Sequence, residues 1–391
     1  MSLDFDSARL HNRHLTADHE SWRAQLRRFL EKEVAPNLDD WDENGNIPDE
    51  MWAKAAGIGL LQLGYPEQYG GVSEGIDQHY KNIVSEELAR IGSAGGISST
   101  LLVHGIGLPP VVHFASDDIK EEVVPAVLSG EKRISLGITE PSGGSDVAGI
   151  QTTAKAEGDF YIVNGSKTFI SGGMGANWVS TAVRTGKAGP KGVSMLLIPM
   201  DLAGVSRTPL DKKQGWWCSD TATLYFDNVK VPKKYLMGEE GHGFLVIMHN
   251  FNSERLAMIV TMEAAARCCL EEAVTWAQER KTFGKRLADH QVIRHKVAMM
   301  KQKINATQAY ALHLTEAFIE GRCHPGDLAM LKVQASETME FCAREASQIL
   351  GGSSYLRGSK VERIYREVRV NAIGGGSEEI MRDLAARQYN L

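Results

Sequence analysis

Between residues 15 and 130 apolar positions recur at intervals of three and four, as in Trp22-Arg-Ala-Gln-Leu-Arg-Arg-Phe-Leu30 and again over 80–90. This spacing predicts amphipathic helices separated by short Gly and Pro breaks. From about Ile134 the period changes to two. Residues 160–163, 178–183, 193–198 and 222–226 read as strands, with Asn164-Gly165 as a turn between them. After Gly243 the alternation stops, and long helices are expected over 254–280, 290–320, 325–350 and 378–389. Four long helices with few prolines suit an antiparallel bundle. The expected fold class is therefore α+β in three parts. An N-terminal α-helical domain spans 1–130, a central β domain (barrel or sandwich) 131–242, and a C-terminal helical bundle 243–391.

The composition of the 391 residues, 43% hydrophobic and 24% charged, is that of an ordinary globular protein and excludes disorder, collagen and coiled-coil fibre. With 43 Lys and Arg against 49 Asp and Glu, the chain has no electrostatic reason to bind nucleic acid or an anionic membrane. Cys218, Cys268, Cys269, Cys323 and Cys342 lack the C-x-x-C spacing of a zinc or redox pair, so free thiols, a reducing compartment and no metal site are expected. The first 22 residues carry Asp4, Asp6, Asp18 and Glu20 and no apolar stretch, which reads as neither a secretory nor a transit peptide. The terminal Gln388-Tyr389-Asn390-Leu391 is no peroxisomal address. These features suggest a cytoplasmic location, or the mitochondrial matrix if the source is eukaryotic. Residues 91–116 are uncharged, but Gly, Ser, His104, His113 and Pro109-Pro110 interrupt them too often for a membrane span. They read instead as a buried, small-residue segment beside a cavity.

Four stretches can carry chemistry. Leu136-Gly-Ile138-Thr139-Glu140-Pro-Ser-Gly-Gly-Ser145-Asp146 combines hydroxyls for directional hydrogen bonds with glycines that let backbone amides approach a flat or anionic ligand. Taken alone it is equally an empty Gly-rich turn. Arg280-Lys-Thr282-Phe283-Gly284, with Gln291 seven residues on, places cations and a hydroxyl at a helix end, either for a pyrophosphate or as an ordinary C-terminus with Gly284 behind it. Gln348-Ile349-Leu350-Gly351-Gly352 closes the third bundle helix. Ile373-Gly-Gly-Gly-Ser377-Glu-Glu379-Ile380 opens the last one, where a ligand anion or a plain Ser cap would suit the helix N-terminus.

Together with Lys167-Thr-Phe169-Ile170-Ser171, these stretches resemble the acyl-CoA dehydrogenase family of flavoproteins, in the family's order and over nearly the whole chain. The resemblance implies FAD in a cleft between the β domain and the bundle. Leu136, Ile138, Thr139 and Ser145 would line the flavin edge, and Phe169, Ile170 and Ser171 the ring. Arg280, Thr282, Phe283, Gln291 and Gln348 to Gly352 would reach a neighbouring subunit's cofactor, with Ser377 and Glu379 completing the site. It further implies a homotetramer built as a dimer of dimers, an acyl-CoA substrate and an electron-transfer flavoprotein as acceptor.

One departure matters. Many family members carry the catalytic glutamate in the C-terminal loop, at the position that is Gly375 here. A branch resembling the long-chain and isovaleryl-CoA enzymes places it on a bundle helix before an Arg, and here that place reads Phe251-Asn252-Ser-Glu254-Arg255. Glu254 is thus the candidate base. Locally it is also a plain exposed carboxylate near a helix start. The resemblance gives the Gly375 amide, with the flavin ribityl hydroxyl, to the thioester oxygen. Phe251, Asn252, Arg255 and Ser145 are candidate substrate contacts. Removal of the α proton and of a β hydride would give a trans-2-enoyl-CoA. The small residues 95–100 suggest a roomy pocket and a long, branched or terpenoid acyl group such as citronellyl. An acyl-CoA oxidase and a catalytically silent flavin-binding scaffold are the competing readings. His104 and His113 read as packed histidines, and Trp216-Trp217-Cys218 as core or pocket wall.

Overall fold

The computed structural model describes residues 3–391. Its N-terminal part is helical, with the main helices at Ala17–Phe29, Gln78–Arg90 and Asp117–Leu128. Side-chain oxygens start the first two: Thr16 accepts from the His19 amide, and Asp77 from the His79 amide at 2.8 Å. The apolar stripe read from the sequence becomes their shared core, with Trp22, Leu26, Phe29, Ile83 and Leu88 buried. The uncharged segment folds into short helices and the turns between them, and its Ile97, Leu101, Leu108 and Val111 are buried.

Eight strands follow in one sheet: β1 (Ile134–Gly137), β2 (Thr153–Glu157), β3 (Phe160–Ser171), β4 (Trp178–Arg184), β5 (Val193–Pro199), β6 (Val205–Pro209), β7 (Thr221–Pro232) and β8 (Leu236–Met237). Their order is β6-β7-β3-β2-β4-β5-β8, with β1 parallel to β4. Asn164-Gly165 is not the expected turn. The two residues lie within β3, where the register against β7 shifts between Val163 and Gly165. Gly165 takes φ 142, and a Cβ there would sit 2.7 Å from Thr152, so the glycine serves a bulge rather than a reversal. A second shift, between Lys167 and Ile170, bends the same strand beside the site.

The C-terminal part contains five helices among the described residues, not four: Gly243–Glu279, Gln291–Ile319, Pro325–Leu350, Lys360–Ile373 and Glu378–Gln388. The fourth was not expected. It presents Val361, Ile364 and Val368 to the bundle core while its buried Arg363 and half-buried Arg366 reach Asp42 of the N-terminal part at 3.1 and 2.6 Å. The first helix begins at Gly243, eleven residues before the expected start, because residues 243–253 continue the apolar face: Val246 and Ile247 are buried. Glu254 is therefore about three turns inside a 37-residue helix, and the reading of a terminal, exposed carboxylate does not hold.

Candidate active site

Gly374, Gly375 and Gly376 link the fourth and last bundle helices. Gly375 has φ 65 and Gly376 φ 103, values that L side chains seldom adopt. A Cβ on Gly375 would lie 2.6 Å from the Met258 sulfur, and one on Gly376 2.3 Å from Met381 Cε. A loop glutamate is thus disfavoured here by backbone and space alike. Gly375→Ala should lose about 1–3 kcal/mol, read as a lower urea midpoint at unchanged slope. Unchanged stability would mean that Met258 yields and that the loop tolerates a side chain.

Met258 also locates the base. Glu254 precedes it by four residues, so the two share one face of the Gly243–Glu279 helix, a single turn apart. Since Met258 touches Gly375, Glu254 lies beside the glycine loop. Among the described residues no hydrogen-bond donor reaches its carboxyl, and desolvation pushes it up to about 7 against the opposing charge of Arg255. An unengaged carboxylate titrating near neutrality has the properties of a general base.

Arg255 faces the loop and not Glu254. Its Nε donates to the Gly375 carbonyl at 3.2 Å and Nη1 to Asn252 Oδ1 at 3.3 Å, while the guanidinium lies 5.4 Å from the Phe251 ring centre. The candidate substrate contacts Phe251, Asn252 and Arg255 are therefore one cluster, and the Arg supports the glycine loop.

The two β-domain motifs also meet. The Thr168 amide donates to the Thr139 carbonyl at 2.8 Å, so the Leu136–Ser145 turn lies against the bulged end of β3. Behind them Lys167, fully buried, gives Nζ to Glu140 Oε1 at 2.8 Å and to the Ile138 carbonyl at 3.0 Å. Glu140 also accepts from the Gln151 and Thr152 amides at 2.6 and 2.8 Å. Burial pushes this carboxyl up, but the Lys167 charge and the donors outweigh it and hold it below the ordinary range. The bulge turns Phe169 outward: it is 70% exposed at φ 58, an aromatic face held open by a strained backbone, whereas Ile138 and Ile170 are buried in the sheet core. Ser135, next to Leu136, has a buried hydroxyl with no partner among the described residues. An exposed ring and the exposed Ser145 fit a flat, polar heterocycle such as a flavin, whereas the Ser135 hydroxyl, wholly buried towards Gly172, takes no part.

The other predicted residues lie elsewhere. Arg280 to Phe283 belong to a hairpin, Lys281–Thr282 against Lys285–Arg286. Phe283 and Gly284 at its tip have φ 51 and 78, so Gly284 is a turn residue and not the end of a helix. Thr282 meets His290 at 3.2 Å, and Gln291 is exposed at the start of the second bundle helix. Gln348, Gly351 and Gly352 are exposed, but Ile349 and Leu350 point into the bundle core. Ser377 caps the last helix through the Ile380 amide, and Glu379 is exposed beside it. Within one chain these groups leave their polar faces on the bundle surface.

His104 is a packed histidine: Nε2 meets the Leu61 carbonyl at 3.1 Å, and burial pulls its pKa down to about 4. His113 is instead exposed, its ring centre 4.9 Å from that of His249, so the packed reading holds for His104 and not for His113. Trp216 has φ 55 and packs on Gly95, where a Cβ would fall 2.6 Å from its indole nitrogen; on Gly96 a Cβ would meet Glu367 at 2.9 Å. The glycines there accommodate Trp216 and Glu367, so their small size does not by itself open an acyl pocket. Sequence reading missed Met258 and Lys332. The lysine sits on the apolar stripe Leu328, Ala335 and Met339, and a cation in such a stripe was the available signal. Among the described residues no group of three or more His, Cys, Asp or Glu could hold a metal, and no helix is long and apolar enough to cross a membrane. The five cysteines are free.

Comparison with known proteins bears on the family and the fold. Residues 16–131, 135–229 and 241–389 match the family models of the acyl-CoA dehydrogenase N-terminal, middle and C-terminal domains. The chain is 37% identical to an acyl-CoA dehydrogenase of Alternaria alternata, over 95% of this chain and 91% of the relative. It is 32% identical to the mitochondrial long-chain specific acyl-CoA dehydrogenase of Sus scrofa, over 95% and 86%. The solved structure of a probable acyl-CoA dehydrogenase from Mycobacterium abscessus superposes with TM-score 0.93 at 41% identity, covering 96% of this chain and 99% of that one. These matches span nearly the whole chain, and the chain belongs to the acyl-CoA dehydrogenase family, FAD-dependent oxidoreductases acting on acyl-CoA.

Proposed function

We propose that the protein dehydrogenates a long-chain or branched acyl-CoA, terpenoid thioesters included, to the trans-2-enoyl-CoA, with Glu254 as the base. The observation that carries this reading is the contact of Met258 with Gly375, which sets Glu254 beside the loop whose own side chain is missing. Glu254 removes the α proton, and the Gly375 amide donates to the thioester oxygen as negative charge develops there. Bound FAD supplies the hydride acceptor for the β carbon. Phe169, Ile170 and Ser171 would lie along its ring, Leu136, Ile138, Thr139 and Ser145 would frame its edge, and Ser145 and Phe251 would also meet substrate. Ile138 and Ile170, being core residues, take part through their backbone.

The three units divide at about 130 and 242. The exposed polar groups of Arg280, Gln291, Gln348, Gly351, Gly352 and Glu379, with half-buried Thr282 and Ser377, serve a cofactor shared across a homotetramer, a dimer of dimers. Support comes from Phe283, which is 97% exposed in a single chain at a strained φ. An electron-transfer flavoprotein takes the electrons, in bacterial cytoplasm or a mitochondrial matrix. Of the competing readings, the silent scaffold is disfavoured by the free carboxyl of Glu254. A series of kcat/KM values tests the substrate class: palmitoyl-CoA or a methyl-branched thioester should exceed butyryl-CoA by at least about tenfold, given roughly 0.8 kcal/mol for each buried methylene. A preference for butyryl-CoA would overturn it.

A further inference from the structure

Three adjacent glycines are a poor platform for an amide that must point at one oxygen atom, because nothing in their own covalent structure fixes the peptide planes. The loop is held from outside. Arg255 binds the Gly375 carbonyl, and Lys332 of the Pro325–Leu350 helix gives its Nζ to the next carbonyl, Gly376, at 2.8 Å. Lys332 has no exposed surface. It stands on a helix face whose next turn, Ser336, donates to Glu378 Oε1 at 2.7 Å, while Ala329 and Val333 pack on Met381 and Ala385 of the last helix. One side of one helix therefore anchors both the loop and the helix that follows it. A lysine placed there must desolvate its ammonium, which burial pulls down to about 8, where an apolar side chain would have continued the stripe at no such cost.

We propose that Lys332 is a positioning residue for the dehydrogenation: with Arg255 it clamps two successive carbonyls of the glycine loop and so aims the Gly375 amide at the thioester oxygen. This rests on the assignment of that amide made above. Substrate binding along the rest of the acyl and CoA chain does not depend on the clamp, so its loss falls on the transition state. A misaimed donor of this kind costs about 10- to 100-fold in rate.

The test uses the FAD-loaded protein and the variants Lys332→Met and Lys332→Gln. Lys332→Met should lower kcat about 10- to 100-fold with KM within about threefold, and Lys332→Gln, which keeps a shorter donor, should fall between it and wild type. The infrared stretch of an isotope-labelled thioester carbonyl, read in the bound enoyl-CoA product, reports the amide directly. It should lie below its value in water for the wild type and move back toward that value in Lys332→Met. A Met variant with wild-type kcat and an unmoved carbonyl band overturns the clamp, and so does one in which KM alone changes. If Lys332→Met does not fold, the same two readings on Lys332→Gln decide: a wild-type band and kcat there overturn the proposal. A wild-type protein that shows no lowered carbonyl band and turns over no acyl-CoA instead removes the reading on which the clamp rests.

Discussion

Glu254→Gln is expected to bind FAD normally and to lose about 10²- to 10⁴-fold in kcat, the span ordinarily supplied by a positioned general base. The amide is isosteric and leaves the Met258 contact with Gly375 in place, so the loop and the β-domain motifs keep their geometry. The pH dependence should change with it. Wild-type kcat should rise through about 7, because the base acts as its carboxylate and burial holds its pKa there; the Gln variant should show a flat, low profile. Stability moves the other way. A carboxyl raised from 4.5 to about 7 on folding contributes stability that is fully present below the unfolded value and is lost as pH rises through the folded one. At about pH 8 the wild type therefore bears the cost of a desolvated carboxylate that the variant does not, a difference of at most about 3 kcal/mol. A chemical denaturation series at two pH values reads this: Glu254→Gln should be the more stable protein at the higher pH and indistinguishable at about pH 4. Equal stability at both would mean that the carboxyl is not desolvated.

Lys167→Met is expected to give the largest loss of stability, about 3–5 kcal/mol, the usual penalty for removing one partner of a buried ion pair. Lys167 ties Glu140 to the Ile138 carbonyl, and Glu140 in turn closes the 151–152 amides, so one side chain holds the turn that frames the proposed flavin edge. With the lysine gone, Glu140 remains buried with its amide donors but without a counter-charge. The urea midpoint should fall, and FAD should dissociate more readily on gel filtration. Adding Glu140→Gln to Lys167→Met removes the stranded charge and should recover part of the loss, a coupling that a double-mutant cycle measures. A single-variant loss below about 1 kcal/mol would show that the pair is not the anchor of this turn.

Periodicity conveyed the three-part order because each part buries its own face at its own repeat, whereas Glu254 was a candidate only through the family resemblance and the glycine at 375, since its local sequence reads as a plain exposed carboxylate. Non-local causes were not legible. The Lys360–Ile373 helix hides its amphipathic stripe behind buried Arg363 and Glu367 and half-buried Arg366, whose partners, Asp42 and the Ala94 amide, lie some 270 or more residues away. Gly95 and Gly96 read as open space although Trp216 and Glu367 fill it, since a glycine announces room without saying whose. Asn164-Gly165 carries a strong hairpin signal, yet pairing on both sides of β3 keeps the strand running and turns the glycine into a bulge. Lys332 shows the reverse: an inconsistency on an apolar stripe, visible in the sequence, that gains meaning only when the glycine loop is seen above it.

The central claim, that Glu254 removes the α proton, is tested most directly by separating that step from hydride transfer. An acyl-CoA with sulfur in place of the β-methylene has no β hydrogen to give, so exchange of its α protons with deuterated water, followed by proton NMR on the FAD-loaded protein, reports proton removal alone. The expected result is rapid exchange with the wild type, and exchange slowed at least about 100-fold with Glu254→Gln at equal occupancy of the probe. Exchange at the wild-type rate in Glu254→Gln would contradict it and assign the proton to another base.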